Sequence, residues 1–285
     1  MTGLPPEAVE ALRRYLDEDI RSGDITASVL GPLDAPAVAT VFAKSRSILA
    51  GLEEAKAIAE ITGLTHEALV FEGNWVNTGQ AVLRARGPAK TLLAVERVIL
   101  NIMMRMSGIA TKTYLMLEKA RRFNPSIRVA ATRKTTPGFR FFEKRAVTVG
   151  GGDPHRYALD DMVLIKNNHL ALVGGVARAV RIARERVSFS KKVSCEVRSL
   201  QEAMEAVDSG ADVILLDNFT PNTARAVVDT LKQRGLRDRV VLEASGGIND
   251  GNVTEFAQSG VDVLSSGALT HSYESADFNM LISMP

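Results

Sequence analysis

An α/β fold built on a parallel sheet, closed into a barrel, is predicted for the larger part of this chain by three observations. From residue 127 onward, apolar strand-like runs at 127–132, 162–166, 191–197, 212–216, 239–244 and 262–265 alternate with stretches of helical period such as 173–186 and 199–209. Six strand–helix units in series imply parallel strands, because each crossover returns the chain to the same end of the sheet. Several of the strands run straight into charged or glycine-rich segments, as βα strands do at the face that carries ligands. A doubly wound open sheet is the alternative arrangement of the same units.

The elements before residue 127 read differently. Residues 5–20 predict a helix, with proline at its start and Val9, Leu12, Tyr15, Leu16 and Ile20 in helical spacing. An apolar run at 37–42, a helical pattern at 57–61, Phe71 and the pair Trp75 and Val76 suggest a small α+β unit. Asn77, Thr78 and Gly79 form a turn before a strand at 81–85 that stops at Gly87. Leu92, Leu93, Val95, Val98, Ile99, Ile102, Met103 and Met106 then make a long helix, buried on more than one face. Met106, Ser107 and Gly108 are expected to break it, with a second helix over 109–123, and the pair reads as the join between two domains. Arg97, flanked by Val95, Val98 and Ile99, either snorkels, finds a pair, or is presented across an interface. Further on, Thr220 and Pro221 supply an N-cap and a proline at the first helical position.

With 46% hydrophobic and 24% charged residues among 285, the chain has an ordinary globular composition. A net charge of +2 is too balanced for general nucleic-acid or membrane-surface binding. The single cysteine, Cys195, excludes an intramolecular disulfide and a cysteine-cluster metal site, and its place within KKVSCEV points to core packing. The N-terminal residues lack the apolar segment of a signal peptide, and no run reaches the roughly 18 apolar residues of a membrane span, so a cytoplasmic location is expected. Neither GxGxxG after a strand nor GxxxxGK[ST] is present.

Positive charge gathers in one place, between residues 129 and 169. Two strands deliver Arg133 and Lys134, and then Lys166, at their C-terminal ends. Between them lie Gly150, Gly151 and Gly152, where backbone can approach a ligand closely, followed by Asp153, Pro154, His155 and Arg156. Arg133, Lys134, Arg140, Lys144, Arg145, Arg156 and Lys166 outnumber Glu143, Asp153, Asp160 and Asp161. A polyanionic ligand explains the excess. Arg140, Lys144 and Arg145, on a helix, read as solvated surface, whereas cations at the ends of buried strands are held at the ligand-binding face.

The last two strands run into small-residue turns, Ser245-Gly246-Gly247 and Ser266-Gly267-Ala268. Their bare N–H groups suit a phosphate. Glu196 and Asp217 close two further strands, so both carboxylates should face the mouth that holds Arg133 and Lys166. They suit three roles: sharing Mg²⁺ with substrate phosphates, supporting positive charge on a sugar ring, or pairing with nearby cations. His155 fits an acid, a donor to an anion, or a structural histidine. His169 and His271 are weaker candidates, and His169 reads as structural.

Eight segments in matching order and spacing resemble the quinolinate phosphoribosyltransferases: ERVILNIMMRMSGIAT (96–111), TRKTTPG (132–138), EKRAVTVGGGDPHR (143–156), LIKNNH (164–169), CEV (195–197), LLDN (215–218), SGG (245–247) and SGALTHS (266–272). The resemblance runs through most of the chain. It implies an N-terminal α/β sandwich domain over residues 1–110, with the tail 270–285 packing back on it, and an open α/β barrel over 111–269. It further implies transfer of a phosphoribosyl group from phosphoribosyl pyrophosphate to quinolinate with loss of carbon dioxide, assisted by Mg²⁺, in de novo NAD synthesis. By carry-over, Arg133, Lys134, Thr135, His155, Arg156 and Lys166 line the pocket for quinolinate and pyrophosphate. Glu196 and Asp217 match the carboxylates near metal and ribose. Ser245, Gly246, Gly247, Ser266, Gly267 and Ala268 match the loops that hold the 5-phosphate. Arg97 matches an arginine that reaches the neighbouring subunit's site, which implies a homodimer.

Three positions depart from the family's usual residues: Asn167 for an aspartate, Arg198 for an acid, and Arg105 for a histidine. A related family associated with molybdenum transport shares the fold but lacks the KxNH element, so Lys166, Asn168 and His169 argue against it. Two other readings carry weight: a phosphate-ligand binding protein without catalysis, and a phosphoribosyltransferase acting on nicotinate.

Overall fold

The computed structural model describes residues 3–31 and 33–284 and divides into two compact units. The first comprises residues 1–112, 137–150 and 273–285, and the second residues 113–136 and 151–272.

The chain opens with α1 (Pro6–Ile20), which has proline in its first turn and buries Ala8, Ala11, Leu12 and Leu16 along one stripe. There follow α2 (Ile25–Val29), β1 (Pro36–Ala43), β2 (Ser47–Ile48), α3 (Leu52–Ile61), β3 (Thr65–Ala68), β4 (Trp75–Val76) and β5 (Ala81–Pro88). In β1 every second residue is buried, the signature of a sheet covered on one face.

Next comes α4 (Ala89–Arg121), one continuous helix of 33 residues. The expected break at Met106–Gly108 is therefore corrected. Ser107 and Gly108 serve close packing instead of a turn. The Ser107 hydroxyl accepts from Ala50 N at 2.9 Å and donates to Ala50 O at 3.0 Å, satisfying a neighbouring backbone. At Gly108 an added Cβ would lie 2.2 Å from Glu274 O, so only glycine admits that backbone. The glycine's modest cost to helix propensity is outweighed by packing on both sides.

The remaining elements are β6 (Arg128–Ala130), α5 (Arg140–Val149), β7 (Val163–Ile165), α6 (Asn167–Val173), α7 (Val176–Arg186), β8 (Val193–Val197), α8 (Leu200–Asp208), β9 (Val213–Asp217), α9 (Pro221–Gln233), β10 (Val241–Ser245), α10 (Val253–Ala257), β11 (Val263–Ser265), α11 (Ala268–His271) and β12 (Phe278–Ser283). The stretch expected as one helix over 173–186 begins only at Val176. Gly174 ends α6 in the left-handed region at φ 92°, and Gly175 at φ 109° precedes α7. Thr220 caps α9 as expected, accepting from Thr223 N at 3.2 Å.

In the first unit β12, β1, β5 and β3 form an antiparallel sheet in that order, so the C-terminal strand lies beside β1. Helix α5 contributes to this unit's interior. Phe142 is fully buried and meets Tyr15 and Phe139 with ring centroids 5.8 and 4.9 Å away. The solvated-surface reading is overturned for two of its three charges, because Lys144 is fully buried and Arg145 binds two acids, while Arg140 is half-buried. Arg145 Nη1 lies 3.0 Å from Glu54 Oε2, and Nη2 donates to Glu72. The acids come from distant segments, which is why sequence could not foresee the pairing. Arg105 likewise pairs with the buried Glu143 and stacks on Phe139 and Tyr273.

Burial, outweighing the attraction of Arg145, pushes the Glu54 carboxyl up to about 7. Its Oε1 is buried without a hydrogen-bond partner among the described residues. The folded chain thus holds a proton on Glu54 that the unfolded chain releases near pH 4.5. Stability from this group is fully present below that lower value and falls as pH rises to about 7. Glu54→Gln, a neutral replacement of the same shape, is expected to match the parent at pH 5. At pH 8 it should exceed it by up to about 3 kcal/mol, as read by urea unfolding at the two pH values.

In the second unit the six parallel strands run in the order β6, β11, β10, β9, β8, β7. After β6 this order is monotonic around the sheet, without the reversal of a doubly wound fold. It is the progression of a barrel whose ring stays open between β6 and β7. Segment 151–153 reaches into that gap: Asp153 N donates to Val129 O at 2.8 Å, and Asp153 O accepts from Ala131 N at 2.9 Å.

Candidate active site

The pairing register decides which side chains share the barrel's inner face. Glu196 pairs with Leu215, Leu215 with Glu243, and Asp217 with Ser245, which pairs in turn with Ser265. Side chains of registered residues in parallel strands point the same way, and alternate residues along a strand share a face. Glu196, Asp217, Glu243, Ser245 and Ser265 therefore line one face near the C-terminal ends of the strands. The opposite face carries Cys195, Ile214, Leu216, Leu242, Ala244 and Leu264, all buried. Burial pushes the Cys195 thiol up to about 12, so it packs as an inert apolar group.

Five cations sit at this mouth or on its edge. Arg133 and Lys134 are exposed in the turn after β6, held by Thr135 N donating to Arg133 O at 2.9 Å and by Thr270 Oγ1 donating to Lys134 O at 2.7 Å. Arg156 is only 9% exposed. Its guanidinium makes no hydrogen bond or ion pair among the described residues. Burial first, and the charge of Arg133 second, hold the Arg156 pKa below its ordinary value. The two guanidinium groups are close enough to disfavour one another, and the carboxylates of Glu243 and Asp161 offset part of that cost. Lys166, just after β7, lies 3.6 Å from Glu196 Oε2. Arg198 Nε stands 3.8 Å from Asp217 Oδ2.

Two of the departures fall on these carboxylates. Asn167 Nδ2 donates to Glu196 Oε1 at 2.7 Å. An aspartate there would repel Glu196 where asparagine binds it. Arg198 gives Asp217 a cation from the mouth's rim. Asn167 thus binds one carboxylate of the mouth by a hydrogen bond, and Arg198 meets the other as an ion pair.

His155 lies in the left-handed region at φ 52°. Both of its ring nitrogens are engaged within the chain. Nδ1 accepts from Arg156 N at 2.7 Å, and Nε2 stands 3.2 Å from Glu243 Oε1. This geometry ties the imidazole to the backbone of Arg156 on one side and to the β10 carboxylate on the other. His169 is also structural, its Nδ1 accepting from Lys166 N at 2.9 Å.

Both glycine turns are set by close approach. A Cβ on Gly246, at φ 99°, would lie 2.3 Å from Asn218 Oδ1 and 2.9 Å from Asn218 N. Gly247, at φ 65°, has open space where its Cβ would be. Asn218 N donates to Ser245 O at 2.8 Å, and Asn249 Nδ2 and Asn252 Nδ2 donate to Gly247 O. In the second turn the Ser266 hydroxyl donates to Ile248 O at 2.6 Å, so it braces the first turn. A Cβ on Gly267 would meet Lys134 Cδ at 2.8 Å and His271 Nε2 at 3.0 Å. Lys134 and His271 thus flank one glycine, and Ala268 opens α11 beside it.

Of the expected site residues, Arg133, Lys134, Thr135, His155, Arg156, Lys166, Glu196, Asp217 and both turns belong to the second unit, and Arg97 belongs to the first. The Arg97 side chain is 57% exposed, with Glu96 Oε1 3.9 Å away. Sequence reading missed Glu243 and Asn218. Glu243 was detectable as an acid inside an apolar strand, but its inward direction depends on register.

Comparison with known proteins bears on the whole chain. Residues 24–107 match the model of the quinolinate phosphoribosyl transferase N-terminal domain, and residues 109–281 that of the C-terminal domain. A probable nicotinate-nucleotide pyrophosphorylase [carboxylating] of Methanothermobacter thermautotrophicus is 44% identical, the match covering 96% of this chain and 98% of that one. The human nicotinate-nucleotide pyrophosphorylase [carboxylating] is 41% identical over 97% of this chain and 92% of its own length. The structure of nicotinate-nucleotide pyrophosphorylase from Francisella tularensis superposes with a TM-score of 0.91 at 32% identity, covering 99% and 98% of the two chains. With both domain models matched in order and relatives aligned over nearly their full length, this chain belongs to the quinolinate phosphoribosyl transferase family.

Proposed function

We infer that the chain is a decarboxylating quinolinate phosphoribosyltransferase, forming nicotinate mononucleotide, pyrophosphate and carbon dioxide from quinolinate and phosphoribosyl pyrophosphate in NAD biosynthesis. One observation carries the assignment within the family: a buried Arg156 whose guanidinium makes no hydrogen bond or ion pair among the described residues, beside Arg133, in a barrel whose strand ends also carry Lys166. Two adjacent carboxylates on a planar ring need such a fork of cations, and arginine meets a planar carboxylate through two parallel hydrogen bonds.

Arg133, Arg156 and Lys166 hold the diacid with its ring nitrogen toward C1 of the ribose, so positioning supplies much of the acceleration. The turns at Ser245–Gly247 and Ser266–Ala268 take the 5-phosphate. The nitrogen lone pair forms the bond to C1 as the bond from C1 to the pyrophosphate oxygen breaks, its electron pair leaving on that oxygen. Glu196 and Asp217 offset the positive charge that develops on the ribose, and Lys134 offsets the charge gathering on pyrophosphate. The pyridinium then stabilises the carbanion left by carbon dioxide, which takes a proton from water. No side chain need act as a base.

Among the described residues no three metal-ligating side chains converge. Glu196 and Asp217 therefore fit Mg²⁺ only as partial ligands, with substrate phosphates and water completing the set. Bound in that way, Mg²⁺ supplies neutralisation of the departing pyrophosphate. We further propose a homodimer in which the exposed Arg97 reaches the partner subunit's mouth. We place the enzyme in the cytoplasm, where a lone thiol stays reduced; no helix among the described residues is long and apolar enough to cross a membrane.

Paired assays with phosphoribosyl pyrophosphate and Mg²⁺, one with quinolinate and one with nicotinate, test the function. Mononucleotide and carbon dioxide are expected from quinolinate alone. Turnover of nicotinate in its place would reassign the fork, and turnover of neither would favour a binding protein.

A further inference from the structure

We propose that Glu243 is a positioning residue for the acid substrate: through His155 it fixes the direction in which Arg156 presents its guanidinium to the mouth. This rests on the reading of Arg156 as part of the quinolinate fork.

Glu243 lies in the middle of β10, 3% exposed, with its side chain inside the barrel. An ionised carboxylate at such a site needs donors on its oxygens. Ser265 Oγ, from the neighbouring strand β11, donates to Oε1. His155 Nε2 lies 3.2 Å from Oε1 and 3.3 Å from Oε2. Because Nδ1 of the same ring accepts from Arg156 N, the ring carries its proton on Nε2 and donates it to Glu243. The imidazole is thus a rigid link between a strand in the sheet and the backbone N–H of Arg156.

The link is needed because the backbone there is strained. A residue with a side chain at φ 52° occupies a disfavoured region and persists only where its surroundings over-determine it. Three bonds do so: His155 N donates to Asp153 Oδ1 at 2.7 Å, Nδ1 accepts from Arg156 N, and Nε2 donates to Glu243. Asp153 is itself bound to Val129 and Ala131 at the end of β6. The first and third bonds anchor His155 to opposite sides of the segment, to β6 and to β10. Arg156 follows directly, without a side-chain partner of its own among the described residues. Its aim is therefore set by the bonds of its neighbour, and the negative charge of Glu243 also favours its charged form.

The test compares Glu243→Leu with Glu243→Gln, using full-length protein. Leucine removes the acceptor for His155, whereas glutamine keeps an acceptor oxygen and removes the charge. Glu243→Leu should raise the KM for quinolinate about tenfold or more, the loss expected for one hydrogen bond to a charged group, with kcat and the KM for phosphoribosyl pyrophosphate within about twofold. Glu243→Gln should restore the quinolinate KM to within about threefold of the parent. Imidazole ¹⁵N spectra, simple to assign with four histidines, should show His155 protonated at Nε2 only, in the parent and in the glutamine variant. A leucine variant with the parent's melting temperature and quinolinate KM would overturn the proposal. So would equal increases in both substrates' KM, which mark a merely structural role, or a His155 proton on Nδ1. If the parent used nicotinate, the functional reading would fail, while the spectra and the KM for nicotinate would still decide the role of Glu243.

Discussion

Arg156→Ala is expected to lower kcat/KM for quinolinate by about a hundredfold to a thousandfold, the loss seen when one member of a buried charged contact is truncated. The KM for phosphoribosyl pyrophosphate should change little, because the glycine turns proposed for the phosphate follow other strands. Steady-state kinetics with each substrate varied in turn would show the split. The melting temperature should hold or rise. The Arg156 side chain makes no hydrogen bond or ion pair among the described residues, and burial and Arg133 oppose its charge more than Glu243 and Asp161 favour it. A buried guanidinium that costs the fold something and makes no hydrogen bond in its own chain points to a ligand. Arg156→Lys should fall between parent and alanine, since lysine keeps the charge but loses the planar fork. A variant that bound quinolinate like the parent would remove Arg156 from the fork.

The second large effect is expected at Gly246. Gly246→Ala places a methyl group 2.3 Å from Asn218 Oδ1 and 2.9 Å from Asn218 N, at a φ of 99° that alanine rarely adopts. The side chain of Asn218 can swing aside; its backbone nitrogen cannot, being bound to Ser245 O. The turn must therefore shift. We expect a loss of about 2–4 kcal/mol in stability from overpacking and backbone strain together. The KM for phosphoribosyl pyrophosphate should rise about tenfold or more, since a phosphate cradle displaced by an ångström loses its hydrogen bonds. Gly247→Ala is the control. Its Cβ meets open space and only the φ of 65° is unfavourable, so its stability loss should stay near 1 kcal/mol. Urea unfolding and kinetics on both variants separate the clash from the conformational cost.

What could be read from sequence, and what could not, follows from the range of the interactions. The strands at 191–197 and 212–216 lie within two residues of β8 and β9, because buried parallel strands write themselves as local apolar runs. Strand-end cations and glycine turns were legible for the same reason: a βα unit delivers its C-terminal end to a single face. The Ser107-Gly108 pair misled because its partners, Ala50 and Glu274, are far away in the chain. Lys144 and Arg145 looked like surface charges because burial was decided elsewhere, for Arg145 by Glu54 and Glu72. Glu243 escaped notice because an acid on a strand faces inward or outward according to register, which only pairing reveals. His155 was visible as a residue of interest, yet its two ring partners, Arg156 N and Glu243, could not be read from sequence.

The departures at Asn167 and Arg198 show the same contrast. In sequence they are visible only as departures from the family's usual residues. In the structure each engages a carboxylate of the mouth, Asn167 donating to Glu196 and Arg198 forming an ion pair with Asp217.

The most direct test of the cation fork is a crystal structure of the protein with quinolinate bound. Both ring carboxylates should lie within hydrogen-bond distance of Arg133, Arg156 and Lys166, with the ring nitrogen turned toward the Ser245–Gly247 and Ser266–Ala268 turns. Quinolinate held by those glycine turns, with Arg156 out of contact, would contradict the account.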